Sequence, residues 1–238
     1  MYFYNVKALV LNMKITYFGH SCNLIEIGNS RILFDPFITG NELAENVNVD
    51  DIETDYILLS HGHEDHVLDT ERIAKNTGAK VIAPYETFMW YSQKGLNGHP
   101  MNHGGKCTFE FGTVKMANAV HSSVLPDGNY GGHPAGFVIE SEDGCFYYAG
   151  DTALTMDMQL IGMQHKLDFA ILPIGDNFTM GVDDAIICSD FIKCKNIIGV
   201  HYDTFGYIVI DKEKAQAKFE NAGINLTLLE IGESLVMN

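Results

Sequence analysis

The sequence predicts an α/β sandwich, in which two β-sheets pack face to face and helices cover them. Short apolar runs typical of buried strands recur along the chain, and helix-like segments with capping residues lie between the later ones. With 238 residues, of which 46% are hydrophobic, the chain is long enough to form a large core. This composition excludes disordered, collagen-like and coiled-coil proteins.

Each predicted strand is a segment with period-2 alternation or a short apolar run. These strands are residues 14–18, 23–27, 31–34, 56–59, 80–83, 108–111, 113–118, 136–140, 145–148, 169–172, 196–200 and 225–230. Turn residues separate several of them, as at Gly28-Asn29 and Asp143-Gly144. No linker or internal repeat divides the series, so we expect one domain.

Helices are predicted from residues typical of helix ends. Asp69 is expected to cap a helix that ends at Gly78. Asp183 and Asp184 are expected to open a second helix, which closes near Lys193. The third begins at Asp211 and ends before Gly223.

The net charge of −16 comes from 15 basic and 31 acidic residues, and it disfavours nucleic-acid partners. No apolar run approaches the roughly 18 residues of a membrane span, and the first twelve residues lack a secretory cleavage site. The five cysteines contain no Cys-x-x-Cys pair, which indicates free thiols in a reducing compartment. We therefore expect a soluble cytoplasmic protein that binds a small-molecule substrate and no membrane. A homo-oligomer is compatible with this sequence.

The clearest chemical signal is the segment 60–66, SHGHEDH, which follows the apolar strand 56–59. His61 and His63 stand two residues apart, so in extended backbone they point to one side, and Asp65 and His66 follow in the turn. Imidazoles and carboxylates are ligands for borderline metals such as zinc. Four ligand-type residues are more than one tetrahedral ion with an open position can use. Two metal ions are therefore the economical interpretation.

Three further candidate ligands follow other predicted strands, namely His121, Asp151 and His201. With His61 they give four strand ends that each carry a ligand-type residue. Loops at the carboxyl ends of strands are where α/β folds build their sites. The alternative is that scattered histidines happen to end strands, and the convergence of the four ends favours a metal centre.

The spacing His-x-His-x-Asp-His, with a later His, Asp and His, resembles the metallo-β-lactamase superfamily. It is most similar to the small metal-dependent hydrolases of largely unassigned substrate that are related to ascorbate-6-phosphate lactonase. The resemblance extends from residue 13 almost to residue 238. Its matching segments are GHS at 19–21, DPF at 35–37, TG at 39–40, GHPMN at 98–102, HSS at 121–123, GG at 131–132, PAGF at 134–137, AGDT at 149–152, LPIGD at 172–176, FTMG at 178–181 and HY at 201–202.

The resemblance implies a four-layer αββα sandwich over residues 13–238, preceded by an N-terminal extension of residues 1–12. It implies a first metal held by His61, His63 and His121, a second held by Asp65, His66 and His201, and Asp151 bridging the two. We expect two divalent transition metal ions, zinc foremost, with manganese and iron left open by the ligand types. Such a pair would share a hydroxide that attacks a small ester, lactone or phosphoester.

Two more residues are expected to act beside the metals. Asp35, after the strand 31–34, would accept the N–H of a ligand imidazole, and a simple turn role before Pro36 is an equally good interpretation. His20 joins Asp65 and Asp151 as a candidate catalytic residue. It is expected to face the substrate or to hydrogen-bond beside the metals rather than to bind one, and the alternative is a loop histidine of structural importance only.

The loops depart from the family pattern in ways that leave the substrate open. Residues 202–207, YDTFGY, stand where prolines are expected, and His103 and His133 are unusual. The alternative functions are a nuclease or phosphodiesterase, which the acidic charge disfavours, and an iron-dependent oxidoreductase on the same fold. Dinuclear oxidoreductases of the superfamily have Glu where this chain has His63. A non-catalytic metal-binding protein is a further alternative, and the complete ligand set argues against it.

Overall fold

The computed structural model describes residues 13–237, so the predicted extension 1–12 lies outside the described residues. The strands are β1 (Met13–Gly19), β2 (Cys22–Ile27), β3 (Ser30–Phe34), β4 (Tyr56–Leu58), β5 (Lys80–Pro84), β6 (Gly98–Met101), β7 (Lys106–Phe109), β8 (Gly112–Asn118), β9 (Ala135–Ser141), β10 (Gly144–Tyr148), β11 (Phe169–Pro173), β12 (Asn196–Val200), β13 (Asn225–Thr227) and β14 (Ser234–Met237). The helices are α1 (Glu64–Val67), α2 (Thr70–Thr77), α3 (Tyr85–Gln93), α4 (Met158–Gln164), α5 (Val182–Phe191) and α6 (Lys212–Asn221).

The strands form two seven-stranded sheets. The first sheet has the order β14-β1-β2-β3-β4-β5-β6, and the second has the order β13-β12-β11-β10-β9-β8-β7. The run from β3 to β6 is parallel, as is the run from β10 to β13, and the remaining neighbours are antiparallel. By this topology β1, β3 and β4 share one direction, and β8, β10 and β12 share another. The carboxyl ends of each set therefore lie along one edge of its sheet.

Three apolar clusters define four layers. The central cluster joins the inner faces of both sheets and includes Phe34 from β3 and Phe146 from β10. A second cluster packs α4, α5 and α6 on the outer face of the second sheet. The third packs α2 and α3 on the first sheet, with Leu33 and Phe88 among its members. The predicted αββα sandwich is thus confirmed.

The central strands are buried on both faces, which explains their continuous apolar runs. In β3, for example, Ile32 and Phe34 face the inner cluster while Leu33 faces the helices. The sequence pattern missed β6 and β14, which are short strands at the two edges of the first sheet. β6 contains Gly98 and Pro100, residues that resemble a turn and that an edge position tolerates. The helices α1 and α3 were also not predicted, and the strand predicted over 225–230 ends at Thr227.

All three predicted helices lie where their end residues placed them. α6 begins after Asp211, whose Oδ1 accepts a hydrogen bond from the Lys214 backbone N–H at 3.0 Å. α5 carries Asp183 and Asp184 in its first turn, as expected. Asp69 and Gly78 are the N-cap and C-cap residues of α2, as predicted, but the Asp69 carboxylate makes no capping hydrogen bond and instead accepts from the backbone N–H groups of residues 38 and 39. Asp69 therefore ties the loop after β3 to the start of α2.

All five cysteines lie within the described residues as free thiols, in agreement with the expectation. Within residues 13–237, no helix is both long and apolar enough to cross a membrane.

Candidate metal centre

The carboxyl ends of four strands and the short helix α1 bring the predicted ligands together. His61 follows β4, His121 follows β8, Asp151 follows β10 and His201 follows β12, while Asp65 and His66 lie in α1. Apart from those of Asp151, their ligand atoms form two groups, each within 4.8 Å internally. We call His61, His63 and His121 the first cluster, and Asp65, His66 and His201 the second cluster. His20, after β1, falls in the same group as the second cluster.

Asp151 lies between the two clusters and is buried. Its Oδ2 is 3.0 Å from His201 Nε2 and 3.3 Å from His66 Nε2, both in the second cluster. The same oxygen is 3.6 Å from His121 Nε2 in the first cluster. One carboxylate therefore contacts both sets of ligands, which is the position expected of a bridging residue.

Gly150 allows Asp151 to approach the first sheet so closely. Its φ of +61° is one that residues with a side chain rarely adopt, and a Cβ there would lie 2.6 Å from the Cβ of Ser60. The end of β10 therefore packs directly against the residue that precedes His61.

Asp65 is the carboxylate of the second cluster, and it contacts both imidazoles of that cluster. Its Oδ2 is 3.7 Å from His66 Nε2 and 3.8 Å from His201 Nε2. It also lies 3.0 Å from His20 Nε2, the closest contact that this carboxylate makes with an imidazole. The second cluster is thus a compact arrangement of carboxylate and imidazole groups.

Several buried polar atoms at the centre have no hydrogen-bond partner among residues 13–237. They are His61 Nε2, His66 Nε2, both ring nitrogens of His201, and Asp151 Oδ1. Burying such atoms without partners is costly, and native proteins rarely do so without a reason. The nitrogens of His61, His66 and His201 belong to the two converging clusters, where a metal ion would satisfy them. The residues present therefore fit a metal centre in burial, donor type and convergence.

Asp35 contacts the His66 imidazole and also Ser60, the residue before His61. Its Oδ2 lies 2.8 Å from His66 Nδ1 and accepts hydrogen bonds from the hydroxyls of Ser60 at 2.5 Å and Tyr148 at 2.7 Å. Its Oδ1 accepts from the Ser60 backbone N–H at 2.7 Å. Asp35 is completely buried, so these contacts account for its charge.

Ser60 extends this network to the first cluster. Because its hydroxyl donates to Asp35, its oxygen is free to accept from the Nδ1–H of His61, which lies 2.9 Å away. Asp35 and Ser60 together favour the tautomers in which Nδ1 of His61 and of His66 carries the proton. The Nε2 lone pairs of both rings then point to the unpartnered positions.

His20 is buried beneath the second cluster. Its Nε2 is 3.0 Å from Asp65 Oδ2, and its Nδ1 is 3.0 Å from the Thr204 hydroxyl. Its ring centroid lies 4.1 Å from that of His201, and its carbonyl accepts the His201 backbone N–H at 2.8 Å. With its side chain 0% exposed, His20 contacts a candidate ligand rather than the solvent side of the site. Of the two roles expected for it, the geometry favours hydrogen bonding beside the metals.

Three residues of the centre have left-handed backbone conformations. The φ angles are +54° at His20, +41° at Asp35 and +57° at His201. Such conformations cost about 1–3 kcal/mol each and persist where the surrounding structure determines them. Here backbone hydrogen bonds hold them, since Asp35 N–H donates to Leu58 and His201 N–H donates to His20. The strain aims all three side chains inward from strand ends.

Electrostatics differ between the two clusters. Burial lowers the pKa of all three imidazoles of the first cluster, most strongly that of His61. Burial also lowers the pKa of His201, but the carboxylate of Asp151 outweighs it and raises this pKa to about 9. The pKa of His66 is raised well above its usual value for the same reason. The first cluster therefore offers neutral nitrogens, whereas metal binding at the second must displace protons.

The carboxylates respond in the opposite direction. Burial opposes ionisation of Asp151, but the charges of His201 and His66 hold its pKa well below the usual range. Burial likewise opposes ionisation of Asp65, and the charge of His66 with the hydrogen bond from His20 outweighs it. For His20 burial dominates, and its pKa falls to about 4, so the ring is neutral.

Other histidines named from the sequence stay outside the centre. His99 is exposed on β6, and its ring packs against Phe109 at 5.6 Å. The ring of His103 lies 6.1 Å from that of His133, and its Nε2 is 2.8 Å from the Pro134 carbonyl.

Sequence reasoning missed Ser60, Tyr148 and Thr204. For Ser60 its place directly before the His-x-His segment was an available signal, and for the other two there was none.

The sequence matches the family model described as the Beta-lactamase superfamily domain over residues 14–201. A UPF0173 metal-dependent hydrolase of Christiangramia forsetii is 59% identical to this chain over 224 residues, which cover 94% of this chain and 99% of that protein.

Solved structures give the same picture. Igni18, a metallo hydrolase from the archaeon Ignicoccus hospitalis, is 32% identical with a TM-score of 0.87, covering 95% of this chain and 99% of that chain. CmlA, a diiron β-hydroxylase from Streptomyces venezuelae, has a TM-score of 0.70 and covers 94% of this chain and 54% of that chain. It is 13% identical, so that likeness concerns the fold alone. The chain therefore belongs to the β-lactamase superfamily and, within it, to the family of UPF0173 metal-dependent hydrolases.

Proposed function

We propose that this metal-dependent hydrolase is dinuclear and that it cleaves a small ester, lactone or phosphoester. His61, His63 and His121 hold one metal ion, Asp65, His66 and His201 hold the other, and Asp151 bridges them. Zinc is the proposed metal, since imidazole and carboxylate ligands suit it, and manganese and iron are the alternatives that the same ligands accept.

One observation carries this proposal, namely the convergence of unpartnered buried atoms. Nε2 of His61, Nε2 of His66 and Oδ1 of Asp151 are buried without a hydrogen-bond partner among the described residues. Asp151 Oδ2 also contacts an imidazole of each cluster. A single metal bound by either cluster would leave the unpartnered nitrogens of the other without a role.

The chain's own residues orient the ligands. Asp35 holds the His66 ring by its Nδ1, and Ser60 carries the same support to His61. Both rings are thereby fixed with Nε2 available as a ligand. Tyr148 donates the remaining hydrogen bond that the buried Asp35 carboxylate needs. This support prepares the ligand geometry before a metal arrives.

His20 acts as a positioning residue for Asp65. With its Nδ1 accepting from the Thr204 hydroxyl, its Nε2–H donates to Asp65 Oδ2 at 3.0 Å. The hydrogen bond holds the oxygen of Asp65 that also faces the His66 and His201 rings, and so fixes the orientation of this carboxylate within the second cluster. Its ring also packs beside His201, so it supports two members of the second cluster.

When bound, two divalent ions supply Lewis-acid activation of a water molecule and of the attacked substrate oxygen. The carboxylates of Asp65 and Asp151 are ionised, because their pKa values are held low, so they add negative charge at the proposed reaction site. A redox reaction is the alternative on this fold, and no geometric observation at the centre favours it over hydrolysis.

The test is metal content and hydrolysis measured on the same preparation. Protein purified without chelators should carry about two metal ions per chain. A panel of lactones, carboxylic esters and phosphodiesters should include substrates that chelator-treated protein no longer cleaves and that zinc restores. A fully active protein with a single ion per chain would contradict the dinuclear proposal.

A further inference from the structure

The loops around the metal centre contain no Lys or Arg. This holds for the segments that carry the clusters and their neighbours, namely residues 20–21, 35–55, 59–69, 119–134, 149–157, 174–181 and 201–211. The same loops contain sixteen Asp and Glu residues, of which Asp50, Glu53 and Asp55 are paired with Arg72 and Arg31. Enzymes that bind phosphate groups usually provide Arg or Lys side chains or exposed backbone donors for them. Here the loops instead carry negative charge, which repels phosphate groups.

Three carboxylates at the centre itself add to this effect. Asp35, Asp65 and Asp151 all lie within or directly beneath the two clusters. Their charges would offset most of the positive charge of two divalent ions. Little attraction remains for an anionic substrate beyond the oxygen that the ions contact.

Lys212, the first cationic residue after these loops, does not change this conclusion. Its Nζ lies 3.7 Å from Asp203 Oδ2 and 3.7 Å from Glu230 Oε1. It also lies over the ring of Tyr202, 5.4 Å from the centroid. The charge is shared between two carboxylates and is not directed at a substrate.

On the side of the second cluster, where the loops contain no Lys or Arg, exposed aromatic side chains are found instead. The ring of Phe205 lies 5.4 Å from that of His20 and 6.2 Å from that of Phe37. Phe178 and Tyr207 form an edge contact at 6.1 Å while remaining 50% and 78% exposed. These three rings are the aromatic rim.

Backbone contacts hold the Phe178 loop beside the centre. Gly175 packs so closely on the His201 carbonyl that a Cβ there would lie 2.1 Å from its oxygen. At the other end of the loop, the Met180 N–H donates to the carbonyl of Thr152 at 2.9 Å. The loop is thus anchored next to both His201 and Asp151.

The opposite side of the centre is also apolar. Val120 precedes His121 and is 49% exposed. Val124 and Tyr130 pair through an isolated β-bridge and are exposed as well. Their loop contacts the first cluster through the Gly62 N–H, which donates to Ser123 Oγ at 3.0 Å. Apolar groups therefore face the solvent on both sides of the proposed reaction site.

Building on the proposed hydrolase, we infer that its substrate is an uncharged carboxylic ester or lactone with an apolar group that lies on the aromatic rim. In this reaction water adds to the carbonyl carbon and the acyl C–O bond breaks. The products are an alcohol and a carboxylate, and one proton is released to solvent. The acidic loops repel the carboxylate product, which favours its departure. Phosphoesters, which bring their own negative charge, are disfavoured by the same loops.

The first experiment compares substrates with one leaving group on the metal-containing protein. The probes are 4-nitrophenyl acetate, butyrate and hexanoate, with bis(4-nitrophenyl) phosphate as the anionic probe. We expect kcat/KM to rise about threefold for each added methylene that the rim covers. The rate enhancement over the uncatalysed reaction should be larger for the esters than for the phosphodiester. Raising the salt concentration should leave ester hydrolysis unchanged and should increase any phosphodiester hydrolysis, because screening weakens the repulsion.

The second experiment changes the rim. Tyr207→Ser should reduce the ratio of hexanoate to acetate kcat/KM, and Tyr207→Lys should raise phosphodiester cleavage relative to butyrate by about tenfold. Met163→Ser and Met163→Lys are the matched controls, because Met163 is 71% exposed on the outer helix α4. Ligand-observed NMR with the non-hydrolysable hexyl 4-nitrophenyl ether gives a binding readout, which should weaken in Tyr207→Ser alone.

The outcomes separate the two proposals. A wild-type protein whose rate enhancement is larger for the phosphodiester, with that activity lost in Asp151→Ala, would overturn the substrate class and leave the dinuclear hydrolase intact. Ester hydrolysis that is insensitive to chain length and to Tyr207→Ser would also overturn the substrate class. Ester hydrolysis that survives both chelation and Asp151→Ala would contradict the proposed function itself.

Discussion

The first and second clusters contain similar candidate ligands but are built differently. In the first, His61 is buried, while His63 and His121 are partly exposed, and the hydroxyl of Ser122 lies at a long 3.4 Å from His63. In the second, His66 and His201 are almost fully buried, and Asp35 and His20 hold its members at 2.8 to 3.0 Å. Each ligand on that side has a neighbour that limits its orientation.

In this molecule, the ligand side chains of one cluster are positioned rigidly, and those of the other are open to solvent. The buried cluster rests on left-handed strand ends and a carboxylate network, so its geometry is determined by the fold. The partly exposed cluster consists mainly of loop residues near the solvent. We therefore expect loss of the Asp35 carboxylate behind the second cluster to weaken metal binding more than loss of the Ser122 hydroxyl beside the first.

The largest effect is expected at the residue that both clusters share. Asp151→Ala removes the carboxylate that contacts His66, His121 and His201, so hydrolysis should fall to background and both metals should bind weakly. Metal analysis and activity on one preparation measure this. Asp184→Ala, an exposed carboxylate on α5, is the matched control. Normal turnover in Asp151→Ala would show that another carboxylate joins the metals.

Separate substitutions should then distinguish the clusters. His66→Ala should leave about one metal per chain, and His121→Ala should leave about one, with the retained ion in the opposite cluster. Substitution with cobalt would report the difference, since the two retained ions have different ligands and hence different absorption spectra. Identical spectra for the two variants, or two metals retained in both, would contradict the assignment of ligands to separate ions.

Much of this comparison could be predicted from the sequence, because its elements are local. The spacing of His61, His63, Asp65 and His66 is set within six residues, and strand ends located the other candidates. The resemblance to the superfamily and the αββα fold were confirmed by the family match and the two sheets. Continuous apolar runs reported the doubly buried strands correctly, because burial on both faces removes the alternation.

The support behind the second cluster could not be predicted, because it depends on contacts across the fold. His20 follows β1, yet its ring contacts Asp65 in α1 and its carbonyl contacts His201 after β12, and Thr204 meets its Nδ1 from the loop that follows. Asp35 was named as a candidate acceptor, but its partnership with Tyr148 joins opposite sheets. Short edge strands such as β6 were missed because two of their four residues, Gly98 and Pro100, resemble a turn.

The third prediction tests whether His20 positions Asp65 or binds a metal. His20→Ala removes the hydrogen bond to Asp65 Oδ2, so kcat should fall about 10²-fold while metal content stays as in the wild type. Thr204→Val removes only the partner of His20 Nδ1 and should cause a smaller fall. Loss of one metal in His20→Ala would make His20 a ligand, and an unchanged kcat would leave it with a structural role alone.

The smallest effects should separate the supports behind the two clusters. Asp35→Asn keeps the side-chain shape but removes the charge that holds His66, so the affinity of the second cluster for zinc should fall about 10–100-fold, and the first cluster, which Asp35 reaches only through Ser60, should lose less. Ser122→Ala removes the weaker support of His63, whose 3.4 Å distance is near the limit for a hydrogen bond, and should change affinity by about twofold at most. Titration against a competing chelator measures both.

Because Asp35 is fully buried, thermal unfolding is followed in parallel, and Tyr148→Phe serves as a milder variant that removes one donor to the same carboxylate. Equal losses in Asp35→Asn and Ser122→Ala would mean that the two clusters are supported alike, and the contrast between them would then have no energetic meaning.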